Sequence, residues 1–557
     1  MLPRLGKLLL GSVILSATSA HAQSQTCSGT PAWSSCDITF DLEPNENPDN
    51  LELRAEFRSP RRTYLMPAFR DGDRRFVIRF APTETGDWDY RLTSNLARLN
   101  GQAGKFNATS SDSPGFVKGN NLHHFVTENG KPHLWMAAAV DNFVKIPRAD
   151  FDRAVEQRAT EKFNHIRVTI EPAADLREAA DRVRAINSRG LTADLVVAAL
   201  PDNAQARTKY VSDIAARFAA MNITWMGVPA FEKIPNARPT LKDAGTLLKK
   251  LDPYDHARTS MAEGSSAALD ADRWITFRSY GTVDPNVGAV EHQFYLEPAV
   301  NTAIRSQKDL WNAVMNGQYP ASGEGGYMTA WFNFMSGNRY WELEPYFDLD
   351  GGRALALDGV EYIVYIEKAG PVEVTVRNHS YDVAWIDPAT GERTKTKGYK
   401  GEHFVGEPPS KAHDWILHIS REGHKEGMLK SYKFDSRGDE DSEAAPIQLQ
   451  EIETNPAKIP FDVTAPPEGD LSLKFQPPFA LKVKRDTRAT RSLLVEWTAE
   501  VTLDGEGYRV VGVGREGLLK IPAEIAHNLP ASMVLHVSIL NANGKAYTID
   551  KVYRLTQ

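Results

Sequence analysis

"HIRVTIEPAADLREAADRVRAINSRGLTADLVVAAL", residues 165–200, decides the fold. It opens on one apolar run, HIRVTIE, and closes on another, ADLVVAAL. Between them Leu176, Ala179, Val183 and Ile186 recur at helical spacing. Two near-continuous apolar strands joined by an amphipathic helix read as a parallel pair with a crossover helix. Working outward, the unit repeats. "HLWMAAAV" and the helical "RADFDRAVEQRATEK" precede it. After it, Val211, Ile214, Phe218 and Met221 form a helical face before "ITWMGVP", and Leu241, Ala244, Leu248 and Leu251 form another before "RTSMAEG". Four successive units predict a parallel sheet covered by helices. Further strands at "RWITFRSY", "AVEHQFY", "AVNTAI" and "GGYMTAW" would complete a (β/α)8 barrel over 119–345. Only one good helix, "SQKDLWNAVMNG", is expected in its second half, so an irregular barrel is predicted.

The flanks follow a different pattern. "ITFDL", "LELRAEF", "RFVIRFAP" and "WDYRLTS" alternate with period two between turn signals, which predicts an N-terminal β-sandwich over 23–118. After Tyr346, "YIVYIEK", "PVEVTVRN", "DVAWIDP" and "DWILHIS" predict a small β-domain over 346–425. The charged stretch "DSRGDEDSEAAP" reads as a linker, 426–445, before a C-terminal β-sandwich over 446–557. The fold class is therefore multidomain, α/β plus all-β. A length of 557 residues agrees with several cores rather than one.

Residues 1–22 carry Arg4 and Lys7, an apolar stretch from Leu8 to Leu15, and Ala20-His21-Ala22. These are the parts of a cleaved secretory signal peptide. No later stretch approaches the roughly 20 apolar residues of a membrane span. The expected location is secreted or periplasmic. Cys27 and Cys36 suit an oxidising compartment, where a small disulfide loop is expected. The net charge is -7 for the chain and -9 without the signal peptide. A mildly acidic exported protein without basic runs is a poor nucleic-acid or anionic-membrane binder, so the expected partner is a neutral carbohydrate.

In a barrel, chemistry sits at the C-terminal ends of the strands. The polar residues expected there include Asp141, Glu171, Glu232, Ser260, Glu263, Glu291, His292, Tyr295 and Glu324. Glycoside hydrolysis needs two carboxyl groups, one protonated in an apolar setting and one ionised, roughly 5 Å apart for retention or roughly 6.5–9.5 Å for inversion. Glu232, among Trp225, Met226, Pro229 and Phe231, is the predicted acid/base, and Glu291 the predicted second carboxylate. Asp141, Trp225, His292, Tyr295 and Trp331 are predicted to shape the substrate pocket. Glu291 has a bland alternative as a structural partner of Arg258 or Arg278, because an unpaired carboxylate in an apolar segment is costly. Asp141 could equally be a helix cap, and the tryptophans core.

Other chemistries lack their motifs. There is no H-E-x-x-H, Walker loop or G-x-S-x-G. His123-His124 lacks metal spacing with any evident carboxylate, and no metal or cofactor is expected. Gly512 to Gly517 matches G-x-G-x-x-G but lies in an all-β region, where it reads as a turn.

Two sandwich segments, "EFRSP" (56–60) and "MPAFRDGDRRFVIRFAPTETGDWDYRLTS" (66–94), resemble the N-terminal domain of apiosidase-like bacterial glycoside hydrolases. "HHFVTENGKPHLWMAAAV", "ITWMGVPAFEK", "LLKKLDPYDHART" and "WNAVMNGQYPAS" are similar to their (β/α)8 domain. "YIVYIEK" and "VAWIDPATGE" resemble the collagen-binding-type β-domain that follows it. The resemblance covers roughly 37–425 and implies glycoside hydrolysis. It also marks departures. Ala138-Ala139-Val140-Asp141-Asn142 stand where the family carries Gly-Asp-Thr-Ala-Trp. Gly227 to Ala230 hold no acid behind Trp225, and Ala303 occupies the position of the usual second catalytic glutamate. The alternative function is thus a catalytically inactive glycan- or matrix-binding protein on a decayed barrel. A third possibility is a purely structural envelope protein, which would show no ligand-sized concavity.

Overall fold

The computed structural model describes residues 27–421 apart from 236, 270–271, 283 and 285. It also describes 452–556 apart from 465, 473–478, 485–492, 504–505, 514–515, 518–528 and 542–545. The expected signal peptide, the expected linker and the centre of the 512–517 glycine motif lie outside the described residues. The chain is a mixed α/β protein with many sheets and few helices.

Among the described residues, nine parallel segments, numbered as eight strands, form its middle. They are β1 (Ala137–Ala139), β2 (His165–Ile170), β3 (Thr192–Val197), β4 (Ile223–Met226), β5 (Arg258–Thr259, resuming at Met261–Glu263), β6 (Arg278–Gly281), β7 (Ala299–Asn301) and β8 (Gln318–Pro320). β1 to the first part of β5 make one parallel sheet, and the second part of β5 to β8 make another. At the far edge a parallel bridge joins Ala137 to Ala321, and Ser322 N–H donates to the Ala137 carbonyl at 3.0 Å.

Helices follow these strands: α1 (Arg148–Thr160), α2 (Leu176–Asn187), α3 (Ala204–Phe218), α4 (Ala237–Leu251), α5 (Val287–Phe294), α6 (Gln307–Val314) and α7 (Gly326–Ser336). Asp175, Asn203 and Ser306 cap the N-termini of α2, α3 and α6 by accepting backbone N–H bonds. The period-two rule sorts the strand side chains. Ile166, Val168, Ile170, Ala193, Leu195, Val197, Ile223 and Trp225 pack against Ala179, Val183, Ile186 and Ile214. The alternate residues, His165, Arg167, Asp194 and Thr224 among them, occupy the opposite face.

Two sequence expectations are corrected. "AVEHQFY" is helix α5, not a strand, and "GGYMTAW" is the start of α7. A run of about eight apolar residues cannot be assigned by periodicity alone. In α5 five consecutive residues, Val287 to Glu291, are buried, so the segment shows no polar face from which its period could be read. The eighth strand is instead the short Gln318–Pro320, masked in the sequence by its length.

On the N-terminal side, a three-stranded and a four-stranded antiparallel sheet enclose Phe57, Phe80, Trp88 and Phe106, with Phe57 stacked on Phe80 at 4.0 Å between centroids. Cys27 and Cys36 are joined by a disulfide at the entry to the first strand. These sheets meet the helical layer through charge-assisted bonds. Arg79 holds Asp37 at 2.7 Å and donates to the Arg217 carbonyl at 2.6 Å, and Arg217 holds Asp71 at 2.8 Å. A short three-stranded sheet from Val117 to His133 leads into β1. Beyond α7 come a seven-stranded sheet from Glu344 to Ser420, then a six-stranded and a three-stranded sheet between 452 and 556. Among the described residues, no helix is long and apolar enough to cross a membrane.

Candidate active site

The C-terminal ends of the strands form an accessible surface. Thr169 is exposed although it lies within β2, and Glu171, Glu263 and Asp141 just beyond are exposed as well. Arg167 reaches across from β2 and donates to the Ser322 hydroxyl after β8. Burial works against its charge, while Asp194 and Asp141 supply the opposing field. Arg167, Asp194 and Thr224 sit side by side in register on three neighbouring strands. Asp194 accepts from Thr224 at 2.8 Å and pairs with His165 at 2.7 Å, so the face behind the surface is a connected polar layer.

Glu232 reaches this surface from β4. Ala230 adopts a left-handed conformation, φ 49°, and its N–H donates to the Met261 carbonyl at 2.9 Å. That turns the chain into a single 3-10 turn, Phe231–Lys233, laid against the end of β5. Phe231 is buried beneath it. The Glu232 carboxylate then accepts the backbone N–H of Glu263 at 2.9 Å. Lys233 pairs with the Glu263 carboxylate at 2.6 Å, an exposed contact of little stabilising value. Two acidic side chains are thereby brought to the ends of adjacent strands.

Glu291 lies elsewhere. It is 2 % exposed and sits on α5, against the loop that follows β5. Ser265 Oγ donates to Oε1 at 2.7 Å, Ser266 N–H to the same oxygen at 2.8 Å, and the Ser266 hydroxyl to Oε2. Burial pushes the Glu291 carboxyl upward, against the pull of those serine bonds and of Arg278. Arg278 donates to Ser266 Oγ at 3.1 Å and to Glu297 at 3.1 Å, and its guanidinium lies 3.4 Å from the centroid of the Tyr295 ring. Glu291 and Tyr295 thus belong to one buried polar knot with Arg278, not to an open cleft. The structural alternative weighed from the sequence describes this placement.

The remaining predicted residues are not brought together with Glu232. Trp225 is 1 % exposed on the helix-facing side of β4, where its Nε1 donates to Asp252 at 2.9 Å. Trp331, on α7, is 1 % exposed in a core with Trp311, Met328 and Met335. Neither offers a flat face to a sugar. His292 packs at the opposite end of the strands, on Gly317 just before β8. Asp141 does stand at a strand end, after β1, within electrostatic reach of Arg167. Sequence reasoning passed over Arg167 altogether. Its signal was available: a guanidinium inside the apolar run HIRVTIE is too costly to be incidental. Glu263 is among the polar residues expected at the strand ends, without a sequence feature that sets it apart.

No acid stands at the two positions where the sequence resemblance implies one. Gly227 follows β4, and Thr302-Ala303 follow β7, with the Ala303 N–H given to Asn301 Oδ1 at 2.9 Å. At the N-terminal end of the strands a cavity of about 660 Å³ is lined by Trp33, Ser113, His133, Asn164, Asn187 and Asn222; its one acidic lining residue is Asp112. That set offers donors and acceptors for hydroxyl groups but no carboxylate pair.

Residues 29–95 match the model of a domain of unknown function, DUF5060. No curated protein matches the chain. Among solved structures, the chain is similar to a putative glycoside hydrolase from Bacteroides vulgatus ATCC 8482, with 15% identity and a TM-score of 0.61 over 71% of this chain and 99% of that one. A glycoside hydrolase family 5 protein from the same organism aligns over 55% of this chain and 94% of that one, with 14% identity and a TM-score of 0.49. The first likeness establishes a glycoside hydrolase-like fold.

Proposed function

We propose that this protein is an exported glycoside hydrolase that cleaves a neutral plant or microbial glycan at the C-terminal ends of a closed (β/α)8 barrel. The barrel would span 119–345, behind a β-sandwich over 23–118 and ahead of β-domains over 346–425 and 446–557. Closure is supported by the Ala137–Ala321 bridge and by the Gly227 N–H bond to Thr259, which carries β4 pairing into β5. The observation that carries the reading is the Glu232 carboxylate held on the backbone of Glu263, which sets two acids at neighbouring strand ends. Glu232 remains the proposed acid/base. Glu263 replaces Glu291 as the proposed second carboxylate, because Glu291 is enclosed by its serines. Asp141 and Arg167 would bind hydroxyl groups of the sugar. The test is sugar release by the exported chain, with Glu232→Gln and Glu263→Gln alongside.

A second reading, a non-hydrolytic glycan binder, is favoured by Ala303 at the end of β7 and by the amide- and hydroxyl-lined cavity at the other end. It predicts retention on a glycan resin that is lost in Trp33→Ala and Asn222→Ala, with no sugar released.

A further inference from the structure

His123, His292 and Glu344 come from three distant parts of the chain. His123 lies in the turn between the strands Val117–Asn121 and His124–Thr127, His292 on α5, and Glu344 at the start of the seven-stranded sheet. One ligand-capable atom from each lies within 4.8 Å of the other two. Glu344 Oε2 is 3.1 Å from His123 Nδ1 and in contact with His292 Nε2. His124 adds a third imidazole, its Nε2 3.7 Å from Glu344 Oε1 and without a hydrogen-bond partner among the described residues.

The ring orientations suit a ligand set. His123 Nε2 faces the Tyr295 carbonyl at 3.0 Å, and a carbonyl can only accept, so Nε2 carries a hydrogen. Nδ1 is then the ring nitrogen turned toward the Glu344 carboxylate, 3.1 Å from Oε2. His292 approaches the same oxygen, with the two imidazole rings 3.5 Å apart between centroids. Two ring nitrogens and a carboxylate oxygen, all able to ligate a metal, thus converge on one point. The Tyr295 carbonyl is also the kind of outer partner that fixes the tautomer of a metal-ligating histidine.

We propose that His123 Nδ1, His292 Nε2 and a Glu344 carboxylate oxygen, with His124 Nε2 within reach, bind a divalent transition-metal ion of the zinc type. Imidazole and carboxylate donors in this number suit zinc, whose bonds of about 2.0–2.1 Å set tetrahedral ligand atoms about 3.3 Å apart. The His123 to Glu344 distance is close to that spacing. Glu344 is 42 % exposed, which leaves the ion a way in, whereas the three histidines are 14 % exposed or less. Gly317, φ 77°, sits against the His292 ring, and a Cβ there would collide with it. The ion would lock the 117–127 hairpin, α5 and the seven-stranded sheet together. Its role is structural.

The test uses the full chain, free of any affinity tag and stripped with chelator. Titrated with zinc, it should bind one equivalent per chain and unfold at a higher temperature; with cobalt it should show the visible bands of a four- or five-coordinate ion. His123→Ala, His292→Ala and Glu344→Gln should each weaken binding by at least ~10-fold, the loss that even an outer-shell partner produces. His133→Ala should bind as the parent does. Glu344→Gln preserves side-chain size and serves if the histidine variants fail to fold. Absence of a stoichiometric site in the parent chain would overturn the proposal, as would zinc binding unchanged in all three variants.

Discussion

The Glu232 carboxylate accepts the backbone N–H of Glu263 across 2.9 Å, joining the ends of two adjacent parallel strands through one hydrogen bond. That bond separates two roles of Glu232. Glu232→Gln keeps an oxygen for the Glu263 N–H and should fold as the parent does while losing hydrolysis by ~10²–10⁴-fold, the usual worth of a general acid–base group. Glu232→Ala should add a stability loss of about 1 kcal/mol by removing the acceptor. Urea denaturation and initial rates on one glycan distinguish the two variants.

Glu291→Ala should act on stability. Three donors, Ser265 Oγ, Ser266 N–H and Ser266 Oγ, lose their acceptor, and Arg278 loses a neighbouring negative charge. Breaking a buried charged network typically costs about 3–5 kcal/mol. A lowered denaturation midpoint is expected; a variant with the parent's stability and no activity would instead place Glu291 in the reaction.

Trp225→Phe tests whether that indole is platform or core. The substitution removes the Nε1 bond to Asp252 and leaves a void where the larger indole packs. A bond to a charged acceptor is worth about 1.5–3 kcal/mol, so the thermal midpoint should fall while affinity for any bound glycan stays unchanged.

Asp252 supplies an acid-side prediction. Burial opposes its charge, but the His256 imidazole and the Trp225 and backbone donors outweigh burial and bring the carboxyl down to about 2. A carboxyl depressed from 3.8 in the unfolded chain stabilises the fold above that value and loses its contribution as pH falls toward 2. The contribution is about 2 kcal/mol. The stability difference between the parent and Asp252→Asn should be constant above pH 4 and shrink as pH drops from 4 to 2. A difference independent of pH across that range would contradict the assignment.

The parallel pattern was legible chiefly from β2 and β3, six residues each, and from the apolar faces of the helices α2, α3 and α4. The second half was not. β7 and β8 are three residues each, too short to show a period, and α5 is eight residues of nearly unbroken apolar character. Reading α5 as a strand put Glu291, His292 and Tyr295 on an imagined rim. Once α5 is a helix, Glu291 turns inward onto Ser265 and Ser266, and His292 faces Glu344. The His123–Glu344 contact was invisible for another reason, since 221 positions separate the two and no local pattern links them. Glu232 stands out in the sequence because it follows a strand by a short, aromatic-rich turn. Nothing local marks Glu263, which meets it only through the Ala230 turn.

The central claim is tested most directly by incubating the purified chain with a panel of neutral plant and microbial glycans and measuring released reducing sugar. The account predicts release from at least one glycan by the parent and by Trp225→Phe, and its loss in both Glu232→Gln and Glu263→Gln. Release that persists in both glutamine variants would contradict it, as would no release by the parent from any member of the panel.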